Sequence, residues 1–381
     1  TFPDLFGTIS TMIPTEKGWM KKRRKDAIIM KRILAALLTV LMAVSMTACG
    51  GGDKKAEDAG PVENTGKTYT WKLGTIYNDP SAKPEYNSFG HSIEAFCQMV
   101  NEKTNGQVVV EPYYSSVLGA SSELWGSLRD NEIQVFYGQP MSTADARFGA
   151  WNIPYLFSNY DQVKELIASP DAPLFNMAQD WMTEDGVHLV AVGPSVFRGF
   201  FNIKHEVGAI SDIRDLKCRT YEDRVVQTFW GDVCNASSMA FSEVYTGLQT
   251  GTIDGLEFAA TSVLSSKYYE VANPSYYSDI NWQWTSGCNL VVSQEAWDEL
   301  PDDLKEIVTE CAWEAQDTFY EEETANEAKA MDDLAANGTQ IHELTDEERQ
   351  TWIDHARSLD DKMKEEIGTE TWDAVWAAVN G

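Results

Sequence analysis

One arginine, Arg219, lies in a strand-like stretch near the middle of the chain and has the chemistry to bind an anion. The stretch reads IRDLKCRTYEDR, over residues 213–224, and mixes basic with acidic side chains. A planar guanidinium can donate two parallel hydrogen bonds to a carboxylate, which the point charge of a lysine cannot do. The alternative is a surface arginine that pairs with Glu222 or Asp223, as most arginines in an acidic chain would. The stretch by itself leaves both roles open.

The other groups that could carry out chemistry show no catalytic or metal-binding pattern. Five histidines are present, none in an HExxH motif or in another spacing typical of metal ligands. The chain has no GxSxG motif, no GxGxxG motif and no phosphate-binding glycine loop. Carboxylates are so abundant that a pair such as Asp302–Asp303 indicates only a solvated helix face. We therefore expect no catalytic residue, no metal and no cofactor.

Residues 30–49 have the features of a secretory leader that ends in a lipidated cysteine. Two basic residues precede residues 33–48, which carry no charge. These sixteen uncharged residues are fewer than the roughly 20 that a helix needs to span a bilayer. Small residues then lead into Cys49, and this ending resembles the lipobox of bacterial lipoproteins, although Met46 stands where leucine is usual. The pattern predicts cleavage before Cys49 and attachment of lipid to its sulfur.

The segments on either side of the leader are not expected to belong to a folded domain. Residues 1–29 show no leader or domain pattern, so the start of translation is expected at Met20 or Met30. Residues 1–48 are therefore interpreted as a non-native upstream segment followed by the signal peptide. Residues 49–66 are rich in glycine and polar residues and have almost nothing to bury, which favours a flexible tether after the lipidated cysteine.

The part of the chain that follows is strongly acidic. The whole chain has 30 basic and 59 acidic residues, and eight of the basic but only three of the acidic ones precede Cys49. Such a surface repels phosphate backbones, which argues against nucleic acid as a partner. The five cysteines after Cys49 form no CxxC pair, so buried free thiols are expected. A disulfide between Cys218 and Cys234 stays open.

From residue 67 the chain alternates strand-like with helix-like segments, which predicts an α/β fold. The first group contains strands over 69–77, 108–114, 133–138 and 187–193, with helices over 84–104, 121–130 and 172–183. The second group contains strands over 198–206, 216–221, 237–241 and 252–259, with helices over 223–231 and 242–250. A long amphipathic helix over 302–337 follows, and then helices near 346–367 and 369–379.

Several segments resemble, in order and at consistent spacing, the substrate-binding proteins of tripartite ATP-independent periplasmic (TRAP) transporters. The most specific are DLKCRTY, over 215–221, and MAFSEVYTGLQTGTIDGLEF, over 239–258. Three further segments agree: PYYSSVLGASSELWGSLRDNEIQVFYG over 112–138, NIPYLFSNYDQV over 152–163 and LVVSQEAWDELPDDLKEIV over 290–308. Together they cover roughly residues 67–370.

The resemblance implies an α/β periplasmic-binding-protein-like fold with two lobes, a ligand cleft between them and a long inter-lobe helix. The lobes are then discontinuous in sequence. Lobe I is expected to comprise residues 67–195 with 285–322, and lobe II residues 196–284 with 323–381.

The resemblance also implies that Arg219 binds the carboxylate of a ligand. Arg198 matches a second family arginine that helps to hold the acid, and the alternative for it is a hinge or inter-lobe salt bridge. The other residues expected at the ligand are polar or aromatic: Phe241, Phe258, Gln139, Glu222, Tyr221 and Trp282. Phe258 stands where many family members have asparagine, so an apolar or aromatic ligand body is expected rather than sialic acid or a simple C4-dicarboxylate.

These observations predict an extracytoplasmic solute-binding lipoprotein that captures an organic acid and delivers it to the membrane subunits of a TRAP transporter. It is expected to be a monomer, attached to the cell membrane by its lipid, with no nucleic-acid partner. The alternatives are the same binding module serving a sensor, or a lipid-anchored enzyme. The identity of the acid, its number of carboxylates and the binding of a cation beside it stay open.

Overall fold

A computed structural model of the protein describes residues 66–193, 195–284 and 289–380. The predicted leader, the cysteine predicted to carry lipid (Cys49) and all of the predicted tether except Gly66 lie outside these residues.

Strands and helices alternate through most of the described chain, as the sequence predicts. The strands are β1 (Tyr69–Gly74), β2 (Val108–Tyr113), β3 (Val135–Gly138), β4 (Val187–Val192), β5 (Phe197–Asn202), β6 (Lys217–Thr220), β7 (Asn235–Ser238), β8 (Gly255–Phe258), β9 (Ser275–Trp284), β10 (Asn289–Ser293) and β11 (Thr339–His342). The helices are α1 (Ser88–Lys103), α2 (Ser121–Arg129), α3 (Tyr160–Leu166), α4 (Pro173–Glu184), α5 (Arg224–Val233), α6 (Val244–Thr250), α7 (Ala260–Ser265), α8 (Gln294–Asp298), α9 (Asp302–Ala336), α10 (Asp346–Ser358), α11 (Asp360–Ile367) and α12 (Thr369–Asn380).

The strands form two separate sheets. The first has the order β2–β1–β3–β10–β4, in which β10 is antiparallel to both of its neighbours. The second has the order β11–β9–β5–β8–β6–β7. The chain therefore passes from the first sheet to the second between β4 and β5, and returns between β9 and β10. Two sheets with helices packed on them confirm the predicted α/β, two-lobed fold class.

Apolar stripes on two helices build the core beside the first sheet. In α1, Ile93, Phe96 and Val100 are fully buried, and the side chain of Asn87 caps its N-terminus by accepting from the backbone N–H of Gly90. The long helix α9, which the sequence predicts to be amphipathic, buries a mainly apolar stripe from Leu304 to Phe319. Packing of α9 against α1 places the first half of the long helix on the first sheet.

The C-terminal helices contact segments that belong to both sheets. The indole of Trp352 in α10 donates to the carbonyl of Gly208, and Met363 and Ile367 in α11 share a core with Phe148. Phe148 lies in a 3-10 helix over Ala146–Asn152, in the chain between β3 and β4. The C-terminal helices therefore contact both parts of the fold. The lobe boundaries given in the sequence analysis remain a prediction.

Several boundaries differ from the sequence-based prediction; β1, for instance, ends at Gly74 and β5 at Asn202. The segment near 346–367, predicted as one helix, is two, because the backbone N–H of Leu359 bonds to Ala356 rather than continuing the α-helical pattern. The strand predicted over 237–241 is β7, which ends at Ser238, and a 3-10 turn begins at Phe241. Among the described helices, none combines the length and the apolar character needed to cross a membrane.

Candidate functional site

Arg219 is buried in β6, which lies between β8 and the edge strand β7 of the second sheet. Its side chain is only 4% exposed, and its Nε donates to the carbonyl of Met239 at 3.0 Å. Its Nη1 lies 4.0 Å from Oε1 of Glu257. Among the described residues, no acceptor lies within hydrogen-bond distance of its terminal nitrogens. A surface arginine paired with Glu222 or Asp223 does not fit this position.

Arg198, on strand β5 beside β8, also contacts Glu257. In the antiparallel pair β5–β8, Phe200 lies opposite Glu257, which brings Arg198 two residues earlier within reach of the carboxylate. Nη1 of Arg198 donates to Oε2 of Glu257, whose side chain is fully buried. Both arginines therefore face one carboxylate.

Aromatic rings enclose the Arg198 guanidinium. Its Cζ lies 5.1 Å from the ring centroid of Tyr221 and 5.4 Å from that of Phe258. Cζ of Arg219 lies 5.9 Å from the Tyr221 ring. Cation–π contacts at these distances stabilise guanidinium groups that have lost their water.

The electrostatic environment leaves Arg219 less well neutralised than Arg198. Burial lowers the pKa of Arg198, but the Glu257 carboxylate together with Tyr221 and Tyr77 outweighs this effect, and the net shift is upward. Burial lowers the pKa of Arg219, the attraction of Glu257 opposes that effect, and repulsion by Arg198 adds to it, so the net shift is downward. An added anion beside Arg219 would stabilise its charged form.

The two arginines line a cavity of about 490 Å³. Seven of the predicted ligand-binding residues line it: Arg219, Arg198, Phe241, Phe258, Gln139, Glu222 and Tyr221. The cavity is also lined by residues from the other part of the fold, including Tyr77, Asn87 and Phe89. Segments attached to both sheets thus contribute to one cavity of the size that small-molecule sites usually have.

A hydrogen-bond network fixes the Tyr221 ring beside the arginines. Its hydroxyl donates to Oδ1 of Asn152 at 3.1 Å and accepts from Nε2 of Gln139 at 3.2 Å. Nε2 of Gln283 also donates to the Tyr221 hydroxyl, at 3.1 Å. The network joins Gln139 and Asn152, from the first part of the chain, to Tyr221, which follows β6, and to Gln283 in β9.

Trp282 is the one predicted ligand-binding residue that does not line the cavity, and that prediction is wrong. Its side chain is fully buried, and its ring stacks on Phe229 with centroids 5.4 Å apart. It also meets Trp230 edge to face at 5.3 Å. Trp282 therefore belongs to the hydrophobic core behind β9.

Three residues that hold the arginines or the Tyr221 hydroxyl in place were missed from the sequence: Glu257, Asn152 and Gln283. Glu257 had a local signal, because its position in TIDGLEFA predicts a charged side chain inside a buried strand. Asn152 and Gln283 had none. Among the described residues, no cluster of histidine, cysteine and acidic side chains is arranged to hold a metal ion.

Comparison with known proteins identifies relatives along most of the chain. The family model described as bacterial extracellular solute-binding protein, family 7, matches residues 81–366. A solute-binding protein of Chromohalobacter salexigens is 29% identical over 332 residues, covering 85% of this chain and 89% of the relative. A C4-dicarboxylate-binding periplasmic protein of Rhodobacter capsulatus is 28% identical over 299 residues, covering 76% and 86%.

Solved structures show the same architecture. A TRAP periplasmic solute-binding protein of Ochrobactrum anthropi, with its C-terminus in the ligand-binding pocket, has a TM-score of 0.71 at 27% identity and covers 82% of this chain and 95% of its own. The sugar acid binding protein of Advenella mimigardefordensis in complex with galactonate has a TM-score of 0.74 at 24% identity, with coverages of 82% and 98%.

Proposed function

Because this chain belongs to family 7 of the bacterial extracellular solute-binding proteins, we propose that it captures an organic acid outside the cytoplasm and delivers it to the membrane subunits of a TRAP transporter. The family consists of solute-binding proteins rather than enzymes, which confirms the expectation that the chain is not an enzyme. Beyond membership of the family, the proposal specifies the chemistry of the ligand, the residues that bind it and the attachment of the protein to the membrane.

One observation carries the proposal: a buried guanidinium, that of Arg219, lines a cavity without a full set of acceptors among the described residues. Buried charges in folded proteins are normally paired and hydrogen-bonded, because an unpaired one costs several kcal/mol. A ligand carboxylate supplies the missing acceptors and matches the planar fork of the guanidinium. Glu257 does not supply them, since its Oε1 lies 4.0 Å from Nη1 of Arg219, beyond hydrogen-bond distance.

The surrounding groups then have distinct roles. Arg198, held by Glu257, places a second positive charge beside the acid. The rings of Tyr221, Phe241 and Phe258 exclude water from the ion pair and contact the body of the ligand. Because lining residues come from both parts of the fold, closing of lobe I (67–195 with 285–322) onto lobe II (196–284 with 323–381) completes the enclosure.

Attachment at Cys49 keeps the receptor beside its transporter. A lipid on that sulfur, followed by the polar tether over residues 50–66, holds the folded part near the membrane and leaves it free to turn. A monomer is sufficient for this role, since the described cavity is lined by residues of one chain.

The test is the affinity of the Arg219→Ala protein for an acid found by thermal-shift screening of mono- and dicarboxylates, galactonate and succinate among them. Loss of a buried ion-pair partner costs about 3–5 kcal/mol, so we expect the dissociation constant from calorimetry to rise by roughly two to three and a half decades. Arg219→Lys keeps the charge but loses the fork, and should also bind poorly.

The matched control is Arg214→Ala, which removes an exposed arginine five residues earlier in the chain. It lowers the net charge equally and should leave the affinity unchanged. Near-native affinity in Arg219→Ala would refute the role of Arg219 and, with it, the argument for a carboxylate ligand.

A further inference from the structure

We propose that the cavity selects acids with a single carboxylate over dicarboxylates. The inference rests on the proposed function, since it specifies the charge of the acid that the same site takes. It is carried by the number of charged side chains around the cavity and by where their partners lie.

Two arginines and the one carboxylate that lies against both of them leave one positive charge for the ligand. Among the described residues that line the cavity, Arg198 and Arg219 are the only basic ones. Glu257 lies against both and is fully buried, so it neutralises one of the two charges. Burial raises the pKa of the Glu257 carboxyl, and the charges of Arg198 and Arg219 oppose that rise. Because Arg198 donates directly to Oε2 of Glu257, we take this carboxyl as ionised. A ligand with one carboxylate completes the balance.

The remaining charged residues around the cavity add no positive charge. Glu123 and Glu222 are exposed where they line it, and Asp223 is buried, with one oxygen accepting from the backbone N–H of Val226. Each of these carboxyl groups disfavours a second carboxylate nearby. Lys329 lies over the Tyr86 ring, with Nζ 5.2 Å from its centroid, but it is exposed and does not line the cavity.

The rest of the described wall is neutral and combines hydroxyl and amide groups with aromatic rings. Its serines are Ser116, Ser121, Ser122, Ser238, Ser242, Ser262, Ser265 and Ser266, and its amides are Asn78, Asn87 and Gln139. Its rings are Tyr77, Tyr86, Phe89, Tyr221, Phe241 and Phe258. Such groups bind the hydroxyls or the apolar faces of a ligand, but none of them neutralises a second buried carboxylate.

The experiment compares matched acids that differ in one carboxylate, by calorimetric titration of the wild-type protein. The pairs are galactonate with galactarate, butanoate with succinate, and 3-phenylpropanoate with 3-(4-carboxyphenyl)propanoate. In any pair that binds, we expect the dicarboxylate to bind about 100-fold more weakly, or else to take up about one proton on binding, because a buried unpaired carboxylate is costly unless it is neutralised. Titration in two buffers of different ionisation enthalpy measures that proton.

Each outcome decides one question. A dicarboxylate that binds as tightly as its partner, with no proton uptake, overturns the charge selection and leaves the proposed function standing. Failure of all six acids and of the wider screen overturns the proposed function itself, and the selection with it.

A variant tests the part that Glu257 plays. Glu257→Gln keeps an oxygen for Arg198 but removes the negative charge, so the ratio of dicarboxylate to monocarboxylate affinity should rise about tenfold or more. The control is Asp254→Asn, which removes a buried carboxylate of the same chain segment that pairs with Lys204 away from the cavity. An unchanged ratio in Glu257→Gln, or an equal change in Asp254→Asn, overturns the role of Glu257. Should Glu257→Gln not fold, the wild-type comparison alone decides the selection.

Discussion

Glu323 should make the stability of this protein depend on pH, because its carboxyl group is buried in the long helix α9 and pairs with no cation among the described residues. The side chain is 3% exposed, and Oε1 accepts from the hydroxyl of Thr261 at 2.6 Å. Burial raises the pKa of Glu323 from its ordinary value of 4.5 to about 7, against the opposing effect of hydrogen bonds from Thr261 and Ser88. Repulsion by Glu327 and Glu322 contributes to the rise.

The size and sign of the effect follow from this shift. The folded state holds a proton on Glu323 up to about pH 7, whereas the unfolded chain releases it near pH 4.5. The folded state therefore binds more protons between these values, and the free energy of unfolding falls as the pH rises through them. The shift corresponds to about 3 kcal/mol at 1.36 kcal/mol per pKa unit. Stability is greatest below pH 4.5 as far as this group is concerned.

Glu323→Gln removes the ionisation while keeping the shape and the acceptor oxygen. In urea unfolding at fixed temperature, the free energy of unfolding of the variant minus that of the wild type should increase by about 2–3 kcal/mol between pH 5 and pH 8. Glu321→Gln, an exposed change in the same helix, should give a difference within about 0.5 kcal/mol at both pH values. Equal Glu323→Gln differences at pH 5 and pH 8 would refute the assignment of a buried, protonated carboxyl.

Two further predictions concern the anchor and the core. Cys49→Ser should abolish both cleavage at this position and incorporation of labelled fatty acid in the producing cells, and a variant still lipidated there would contradict the lipoprotein proposal. Trp282→Phe should lower the free energy of unfolding by about 1–3 kcal/mol and leave the affinity for the bound acid unchanged, since Trp282 packs on Phe229 rather than in the cavity. A Trp282→Phe protein with weakened affinity and unchanged stability would show that Trp282 contacts the ligand after all.

Those parts of the fold that depend on local periodicity could be predicted from the sequence. Helix α1 and the long helix α9 follow from apolar residues at helical spacing, which decides the buried face without knowledge of the partner. The break at Leu359 could not be found in the same way, since the residues on both sides have good helix propensity. Neither could the packing of the C-terminal helices on the 3-10 helix near Phe148, which joins residues distant in sequence.

In the candidate site, residues of an unusual type or within a recognisable motif could be predicted from the sequence. Residues whose role depends on a contact with a distant residue could not. Arg219 stands out because a buried strand rarely carries a guanidinium. Glu257 is one of 59 acidic residues, and its importance arises only when β5, β6 and β8 come together around it. Asn152 likewise becomes significant through its contact with Tyr221, which lies 69 residues away in the chain.

The error over Trp282 shows which piece of tertiary information was missing. In a strand, successive side chains point to opposite faces, so Trp282 and Gln283 cannot both face the ligand. The sequence does not say which of them does, and tryptophan is the more frequent ligand contact. The register of β5 with β9 decides it, because Arg198 lies opposite Gln283 and directly opposed residues share a face. Gln283 therefore joins the Tyr221 network beside the arginines, and Trp282 points into the core with Phe229.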